Sequence, residues 1–480
     1  MAGSFFFYDL ETSGFDPKFQ RIMQFAGQRT DFDLRPIGDP VNILIRLTPD
    51  VLPDPDAIMV TGITPQATLA DGMTEAEFLK FFYAEICKPE TTFLGYNSVR
   101  FDDEFMRHLL YRNFYDAYEW QWWDGCSRWD MLDVVRMTRA LRPEGIKWPF
   151  ASDGAPSNQL SLVTSVNGLD HENAHDAESD VGATIAVAKL IKTTQPRLFQ
   201  YLFEMRDKRR VAELVNRGEP FVYTSGSYPS ETGKTTIVCK ITDLPNGQGA
   251  LVYDLRHDPK EYMSLPTEEL KQRMSWQPRG VERKPWPVKA IRYNRCPAIA
   301  PLSVLDAASQ GRLQINTSQI HEFQKELAAA TDFIQKVQQT YQATSDRRVQ
   351  STMVTDEQTV DGQLYDGFLS DSDRKRLQTV RTADTSALSG LHDGFEDRRL
   401  QALLPLYKAR NYPETLDGDE RTAWELFCQH RLLDGGPKSR AAKYFERLQS
   451  LANQARLTQQ QKYLLEELQL YAESIMPFEP

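Results

Sequence analysis

The chain has 480 residues, with 67 acidic and 56 basic side chains and a formal net charge of −11. Its 41% hydrophobic and 11% aromatic residues exclude an intrinsically disordered chain, and the length predicts about two to four folded domains. The acidic balance argues against a protein that binds nucleic acid with its whole surface, so such binding would need a local groove of positive charge.

Targeting and membrane signals are missing from the sequence. The N-terminus has no basic region followed by a signal-length apolar run, and no stretch approaches the ~18 uncharged apolar residues of a membrane helix. The five cysteines lie far apart, which argues against a disulfide framework and a zinc site. We therefore expect a protein of a reducing cytoplasm with no membrane association.

The first part of the chain predicts a mixed sheet flanked by helices. Residues 5–9 form a short apolar strand that ends in carboxylates, and Thr74 with Glu77 forms a capping box that opens a helix. Further strands are predicted at 22–30, 41–47 and 93–96, and helices from about 103, over 127–141 and over 176–191.

Two changes of texture divide the rest of the chain. After a charged helix at 196–216, residues 220–300 alternate short strands with turn residues and predict a small β-rich domain, followed by a helical stretch at 318–344. Residues 344–362 are polar and predict a linker, and the pattern from about 366 onward is helical. We predict domains at 1–195, 196–349 and 350–480.

Two carboxylates end the first strand. Asp9 and Glu11 are two residues apart, so on a strand they point to the same face. Their repulsion is costly unless a cation lies between them, and oxygen-only ligands suit Mg²⁺ or Mn²⁺. An isolated Asp-x-Glu is also typical of an ordinary strand end with exposed acids.

Two further elements place acidic residues at helix starts. In the first, Asn97 marks a turn after a strand and Asp102 lies on the first turn of the next helix. In the second, His175 and Asp180 have the spacing His-x4-Asp and enter an Ala- and Val-rich helix. Taken alone, each is equally typical of a solvent-facing helix start whose acids the helix dipole favours.

Together and in this order, the three motifs resemble the DEDD exonuclease superfamily in its histidine-containing branch. Segments outside the motifs resemble bacterial exonuclease I and cover essentially the whole chain: VTGIT (60–64), FYD (114–116), SRWD (127–130), ALRPEGI (140–146), QPRLF (195–199), QLYDGF (363–368) and ARNYP (409–413). The resemblance implies an α/β catalytic domain with a ribonuclease H-like mixed sheet, then an SH3-like β domain and an α-helical C-terminal domain.

The resemblance also implies a function and its catalytic residues. The expected activity is 3′-to-5′ hydrolysis of single-stranded DNA to 5′-mononucleotides, in DNA repair and recombination, by a monomer. Asp9, Glu11, Asp102 and Asp180 would hold two Mg²⁺ ions, with Mn²⁺ as a possible substitute, and His175 would act as the general base. Two metals about 4 Å apart can clamp the attacking and leaving oxygens of a phosphodiester, and a histidine of pKa ~6.5 suits proton abstraction near neutral pH.

Cations and aromatic rings that could hold single-stranded DNA concentrate in residues 107–142. By the resemblance, the DNA contacts in this segment are Arg107, Tyr118, Trp122, Arg136 and Arg142. Gln159 stands in the expected substrate-binding loop, where the family leads us to expect Arg or Lys, so that contact lacks its charge. Any one tryptophan of this segment could equally be a core residue.

Residues 271–295 form a positively charged stretch in a chain of negative net charge, with eight basic residues and one acidic residue. This stretch is either a second DNA-contacting surface, a dock for an acidic partner tail, or a solvated hairpin face. Because exonuclease I is associated with single-strand DNA-binding protein, whose tail is acidic, the stretch is one candidate dock.

Three other functions compete with this prediction. An RNA-trimming exonuclease of the same superfamily would be a short, single-domain chain, and about 280 residues follow the catalytic domain here. A proofreading module would act within a polymerase, and no polymerase motif is present. A catalytically silent nucleic-acid-binding scaffold would not need all five catalytic-type residues.

Overall fold

The structure is a computed structural model that describes residues 3–169, 177–245, 247–274, 286–350 and 357–476. Its first part is built on a five-stranded mixed sheet in the order β3-β2-β1-β4-β5, which confirms the predicted mixed sheet. Antiparallel pairs join β1 to β2 and β2 to β3, whereas β4 pairs in parallel with both β1 and β5. These strands are β1 (Ser4–Thr12), β2 (Ile22–Thr30), β3 (Val41–Leu44), β4 (Thr91–Gly95) and β5 (Ser127–Asp130).

Helices cover both faces of this sheet. The Thr74–Glu77 capping box is present and opens α3, which a π-helical segment, Phe82–Ile86, continues. The long helix α7 packs against β1 and β2. The helices of this part are α1 (Pro55–Thr61), α2 (Pro65–Asp71), α3 (Glu75–Phe81), α4 (Asp102–Arg112), α5 (Met131–Leu141), α6 (Leu160–Asn167) and α7 (Ala177–Thr194).

Two elements of the first part differ from their predictions: the strand expected over 41–47 ends at Leu44, and a strand replaces the start of a predicted helix. The helix expected over 127–141 begins only at Met131, because Ser127–Asp130 form the strand β5. This strand pairs with β4, which lies more than 30 residues earlier, and Asp130 caps α5 by accepting a hydrogen bond from the Leu132 N–H at 2.9 Å. Pairing with a distant strand therefore overrides the local helical pattern.

A second sheet follows, with five antiparallel strands in the order β10-β6-β7-β8-β9. The charged helix predicted at 196–216 is two helices, α8 (Pro196–Glu204) and α9 (Lys208–Val215). The remaining elements here are β6 (Phe221–Thr224), β7 (Thr235–Asp243), β8 (Gly249–Asp254), α10 (Lys260–Met263), α11 (Thr267–Met274), β9 (Val288–Arg292), β10 (Ala298–Pro301), α12 (Ala307–Arg312), α13 (Thr317–Ala329) and α14 (Thr331–Gln350).

The described part of the C-terminal region contains helices and no strand. The linker predicted at 344–362 is wrong over much of its length, because α14 runs on to Gln350 and a 3-10 helix spans Glu357–Tyr365. The α-helices that follow are α15 (Asp371–Thr382), α16 (Arg398–Asn411), α17 (Gly418–Leu433), α18 (Arg440–Ala452) and α19 (Gln459–Ile475). Within the described ranges, no helix combines the length and the apolar character that crossing a bilayer requires.

A buried ionic cluster joins the first part of the chain to the C-terminal helices. Asp361 is 0% exposed and accepts hydrogen bonds from Arg21 at 2.9 Å and from Arg410 at 2.8 and 2.9 Å. Arg431 lies 3.1 Å from the same carboxylate, and Asp50 receives Arg410 at 2.8 Å. Three guanidinium groups therefore share two carboxylates, Asp50 and Asp361, that lie far apart in the sequence.

Candidate active site

Two carboxylates project from the end of β1. The parallel pairing of β1 with β4 ends at Phe7 and Leu94, whereas the antiparallel pairing with β2 continues past Asp9 and Glu11. The last residues of β1 therefore lack a parallel neighbour on one side, and Asp9 and Glu11 share one face of this free end. Sequence alone predicted this arrangement.

Asp180 joins these two carboxylates from α7. One oxygen of each of Asp9, Glu11 and Asp180 lies within 4.8 Å of the others. Asp180 lies on the first turn of α7, and the packing of that helix on β1 and β2 brings together residues about 170 positions apart in sequence. Three carboxylates with oxygen-only donors fit a hard divalent cation such as Mg²⁺ or Mn²⁺.

Asp102 lies at the same strand end but outside this group of three. It is the first residue of α4, is 4% exposed, and accepts a hydrogen bond from the Leu10 backbone N–H. Burial raises the pKa of Asp102 to about 8, and the charges of Asp103 and Asp130 act in the same direction. A nearby divalent cation would favour the ionised carboxylate, so this position also fits a metal site.

The turn before α4 is held by hydrogen bonds to Asp130 at the end of β5. Asn97 has a φ of 71°, a left-handed conformation that asparagine tolerates better than most residues. Its N–H and that of Val99 donate to Asp130 at 3.0 and 3.2 Å. Gly95 ends β4 here, and a Cβ at this position would lie 2.7 Å from the carbonyl oxygen of Tyr8. The predicted turn therefore depends on close approach of β4 to β1.

His175, predicted as the general base, lies outside the described residues, which resume at Ala177. The structure does not place it, so its role stays a prediction. Its sequence position, five residues before Asp180, is the only observation that bears on it.

A buried hydrogen-bond network beneath the carboxylates was not predicted from the sequence. Tyr8 Oη donates to Asp103 Oδ1 at 2.7 Å, and Arg128 Nη1 donates to the other oxygen of Asp103. The second nitrogen of Arg128 donates to the backbone carbonyl of Asn294 at 2.5 Å. Asp103 had the same signal as any acid at a helix N-terminus, and its partners are distant in sequence, so no local pattern could have identified it.

The aromatic residues of the 107–142 segment divide into two groups. Tyr118 and Trp122, the two predicted DNA contacts, are 39% and 63% exposed, and Trp123 is 48% exposed. Trp120 and Trp129 are 1% and 2% exposed and belong to the core. Exposed rings of this size are available to stack on bases.

The basic candidates are more enclosed than the aromatic ones. Arg107 is 4% exposed; it donates to Glu104 at 2.8 Å and lies over the ring of Tyr118 at 5.3 Å. Arg136 is paired with Asp133 at 2.6 Å and its guanidinium packs on Gly226 of the second sheet's first loop. Arg107 thus supports an exposed ring, and Arg136 borders the space between the two sheets.

The last two predicted DNA contacts, Arg142 and Gln159, lie at the two ends of the connection between α5 and α6. Arg142 donates to the Val304 carbonyl at 2.8 Å and lies 3.3 Å from Asp306, so it bridges α5 to the region after the second sheet. Gln159 immediately precedes α6 and is exposed. Of the basic stretch at 271–295, residues 275–285 lie outside the described ranges.

Three family models match the chain in succession. Residues 6–188 match the model described as Exonuclease, residues 206–343 match the Exonuclease I SH3-like domain, and residues 358–475 match the Exonuclease I C-terminal domain. The chain belongs to the exonuclease I family. Each match lies within one of the three predicted domains, and the predicted boundaries themselves stay predictions.

Full-length relatives agree with these matches. The chain is 39% identical to exodeoxyribonuclease I of Escherichia coli K12 over 477 residues, covering 98% of each protein, and 40% identical to that of Haemophilus influenzae over 437 residues, covering 89% of this chain and 90% of the relative. It covers the whole of the solved exonuclease I of Methylocaldum szegediense, with a TM-score of 0.90 at 40% identity over 99% of this chain. The predicted three-part exonuclease I fold is confirmed: a mixed-sheet exonuclease domain, an SH3-like domain and a helical C-terminal domain.

Proposed function

We propose that this member of the exonuclease I family is a 3′-to-5′ exonuclease that hydrolyses single-stranded DNA to 5′-mononucleotides. The observation that carries the proposal is the meeting of Asp9, Glu11 and Asp180 at the free end of β1, in a chain that matches exonuclease I along its whole length. E. coli exonuclease I, which this chain resembles with a TM-score of 0.90 at 37% identity, has been solved in complex with a dA16 oligonucleotide.

Asp9, Glu11, Asp102 and Asp180 are proposed to hold two divalent ions, with Mg²⁺ as the resident metal and Mn²⁺ as a substitute. Bound there, the ions would supply Lewis acidity to the scissile phosphate and a clamp for the attacking and leaving oxygens. The oxygen-only donor set and the cost of burying Asp102 as an anion support this assignment.

His175 is proposed to take the proton from the attacking water. An imidazole with an ordinary pKa is half-deprotonated near pH 6.5, which suits a general base at neutral pH. Its support is the sequence position just ahead of α7, the helix that carries Asp180.

The strand is proposed to be held by stacking on Tyr118 and Trp122 and by phosphate contacts from Arg107, Arg136 and Arg142. The exposure of the two rings supports the stacking role. Arg107 also orients Tyr118 through its cation–π contact. Gln159 would add a hydrogen bond without charge, which weakens the salt dependence of binding relative to an arginine or lysine there.

The proposed partner is the acidic tail of single-strand DNA-binding protein, and the proposed context is DNA repair and recombination by a cytoplasmic monomer. A solved complex of SSB with exonuclease I and the inhibitor CFAM supports such a partnership for a protein 37% identical to this chain. The basic stretch at 271–295 remains the candidate dock.

The test uses oligonucleotides labelled at the 5′ end, offered as single-stranded DNA, blunt duplex DNA and single-stranded RNA, each with Mg²⁺ or with EDTA. The proposal predicts a ladder that shortens from the 3′ end on single-stranded DNA and only with Mg²⁺. Equal or faster loss of the RNA would move the assignment to an RNA-trimming enzyme. Binding without any cleavage would identify a scaffold.

A further inference from the structure

Two residues of the proposed metal site each have a neighbour in the buried network beneath it. Tyr8 precedes Asp9 on β1, and Asp103 follows Asp102 on α4. The hydrogen bond from Tyr8 Oη to Asp103 Oδ1, 2.7 Å long and buried, therefore connects the strand and the helix that carry the site. Successive strand residues face opposite sides of a sheet, so the side chain of Tyr8 points away from a metal beside Asp9. The hydrogen bond of Tyr8 instead fixes the backbone that carries Asp9.

The packing of Tyr8 makes this connection rigid. Its ring is 3% exposed and stacks on Phe25 at a centroid distance of 5.9 Å, with the edge contact of Trp120 at 6.2 Å. A side chain held by rings on two sides presents its hydroxyl in one direction only. Asp103 receives that hydroxyl in a fixed position.

The second oxygen of Asp103 extends the network to two further elements. Arg128 of β5 pairs with it and also donates to the Asn294 carbonyl in the SH3-like domain at 2.5 Å. Arg107, one turn along α4, lies 3.9 Å from the same carboxylate. Asp103 is 1% exposed, so these contacts occur away from solvent screening. The start of α4 is thereby tied to β1, to β5 and to the next domain.

We propose that Asp103 is a positioning residue that holds Asp102 beside Asp9 and Glu11, and that its bond from Tyr8 sets the affinity of the site for divalent cations. The inference rests on the proposed metal chemistry of these carboxylates. Asp103 itself does not bind the metal, because Tyr8 and Arg128 occupy its two oxygens. Residues that orient metal ligands commonly change metal affinity by about 10- to 100-fold when altered.

The test is Mn²⁺ binding to the metal-free, full-length protein by isothermal titration calorimetry, without DNA. Tyr8→Phe keeps the ring and removes only the hydroxyl, and we expect Mn²⁺ to bind about tenfold more weakly. Tyr253→Phe is the matched control, because Tyr253 is 0% exposed in the SH3-like domain and its hydroxyl has no hydrogen-bond partner among the described residues. The control should bind Mn²⁺ like the parent protein.

A second readout separates positioning from general damage. In Tyr8→Phe, cleavage of single-stranded DNA should need more Mn²⁺ for half-maximal rate but reach nearly the parent rate at saturating Mn²⁺. Asp103→Asn, which keeps an acceptor for Tyr8 but weakens the pair with Arg128, should shift the Mn²⁺ requirement in the same direction.

Two results would overturn the inference. One is parental Mn²⁺ affinity in Tyr8→Phe, and the other is a lowered rate that saturating Mn²⁺ does not restore. Asp9→Ala distinguishes this failure from failure of the proposed function. If both Tyr8→Phe and Asp9→Ala bind Mn²⁺ like the parent protein, the metal assignment itself is wrong. If Asp9→Ala binds Mn²⁺ more weakly and Tyr8→Phe binds it like the parent protein, only the positioning role of Asp103 is refuted.

Discussion

Replacing Asp361 with asparagine should lower the stability of the protein, because Asp361 links the C-terminal domain to the exonuclease domain. Asp361 is fully buried and lies within 3.1 Å of guanidinium nitrogens from Arg21, Arg410 and Arg431. Asparagine has nearly the same shape but no charge. The carboxylates left near the three buried cations would be Asp50, whose distances to Arg21 and Arg431 are longer, at 3.5 and 3.6 Å, and Glu75, 3.9 Å from Arg21.

The expected loss follows from the burial of these charges. Removing one partner of a buried ion pair costs about 3–5 kcal/mol, and the remaining amide oxygen of asparagine favours the lower end, about 3 kcal/mol. With a shift of about 2–4 °C per kcal/mol for a domain of ordinary size, the unfolding midpoint of the variant should fall by roughly 6–12 °C. A loss of about 3 kcal/mol is a large part of a typical domain stability of about 5–15 kcal/mol.

Thermal unfolding followed by circular dichroism measures this shift, with Asp371→Asn as control because the side chain of Asp371 is 94% exposed. Burial alone would raise the pKa of Asp50 and Asp361, but the three guanidinium groups hold both pKa values well below the usual range. The stability they contribute is present above about pH 4 and is lost as the pH falls further. A midpoint in Asp361→Asn equal to that of Asp371→Asn at pH 7 would refute the reasoning.

Four further predictions concern the proposed active site. Asp180→Ala should abolish cleavage but keep single-stranded DNA binding in EDTA, with Glu178→Ala as the control on the same helix; residual full activity would contradict the metal assignment. Trp122→Ala should weaken DNA binding by about 1–3 kcal/mol in fluorescence anisotropy, and Trp122→Phe should keep most of it. His175→Ala should lower the cleavage rate over a wide pH range, and an unchanged pH–rate profile would remove it as the base. Burial raises the pKa of Asp102 to about 8, so the folded, metal-free protein holds a proton that the unfolded chain releases above about pH 4. In EDTA, the melting temperature of the parent protein should therefore fall between pH 4 and pH 8 by more than the melting temperature of Asp102→Asn does.

Local sequence was sufficient for the elements whose signals are local. The strand ending in Asp9 and Glu11 and the capping box of Thr74 each depend on neighbouring residues, and each is present in the structure. The turn at Asn97 was also predicted from its local signal, although Asp130 of β5 supplies its hydrogen bonds. The approach of Asp180 to β1 needed the family's order of motifs as well, because packing of α7 on the sheet is non-local.

Features that depend on distant partners were missed. Residues 127–130 continue a helical pattern, and only their pairing with β4 makes them a strand. Trp120 and Trp122 are two residues apart in one aromatic run, yet one is buried and the other exposed, a difference that composition does not contain. Asp361 lay in a segment predicted as linker because its three arginine partners are invisible to a local pattern.

The buried ionic cluster also has a consequence for synthesis on the ribosome. Arg21 and Asp361 are 340 residues apart. At a synthesis rate of about 5–20 residues per second, Asp361 is therefore added roughly 17–68 s after Arg21, the guanidinium that it pairs with. During that interval, among the described residues, Arg21 has only the longer carboxylate contacts with Asp50 and Glu75, at 3.5 and 3.9 Å, that the exonuclease domain itself supplies. The sheet of the exonuclease domain can form early, but the side of the domain that carries Arg21 and Asp50 is completed only when the last quarter of the chain has emerged.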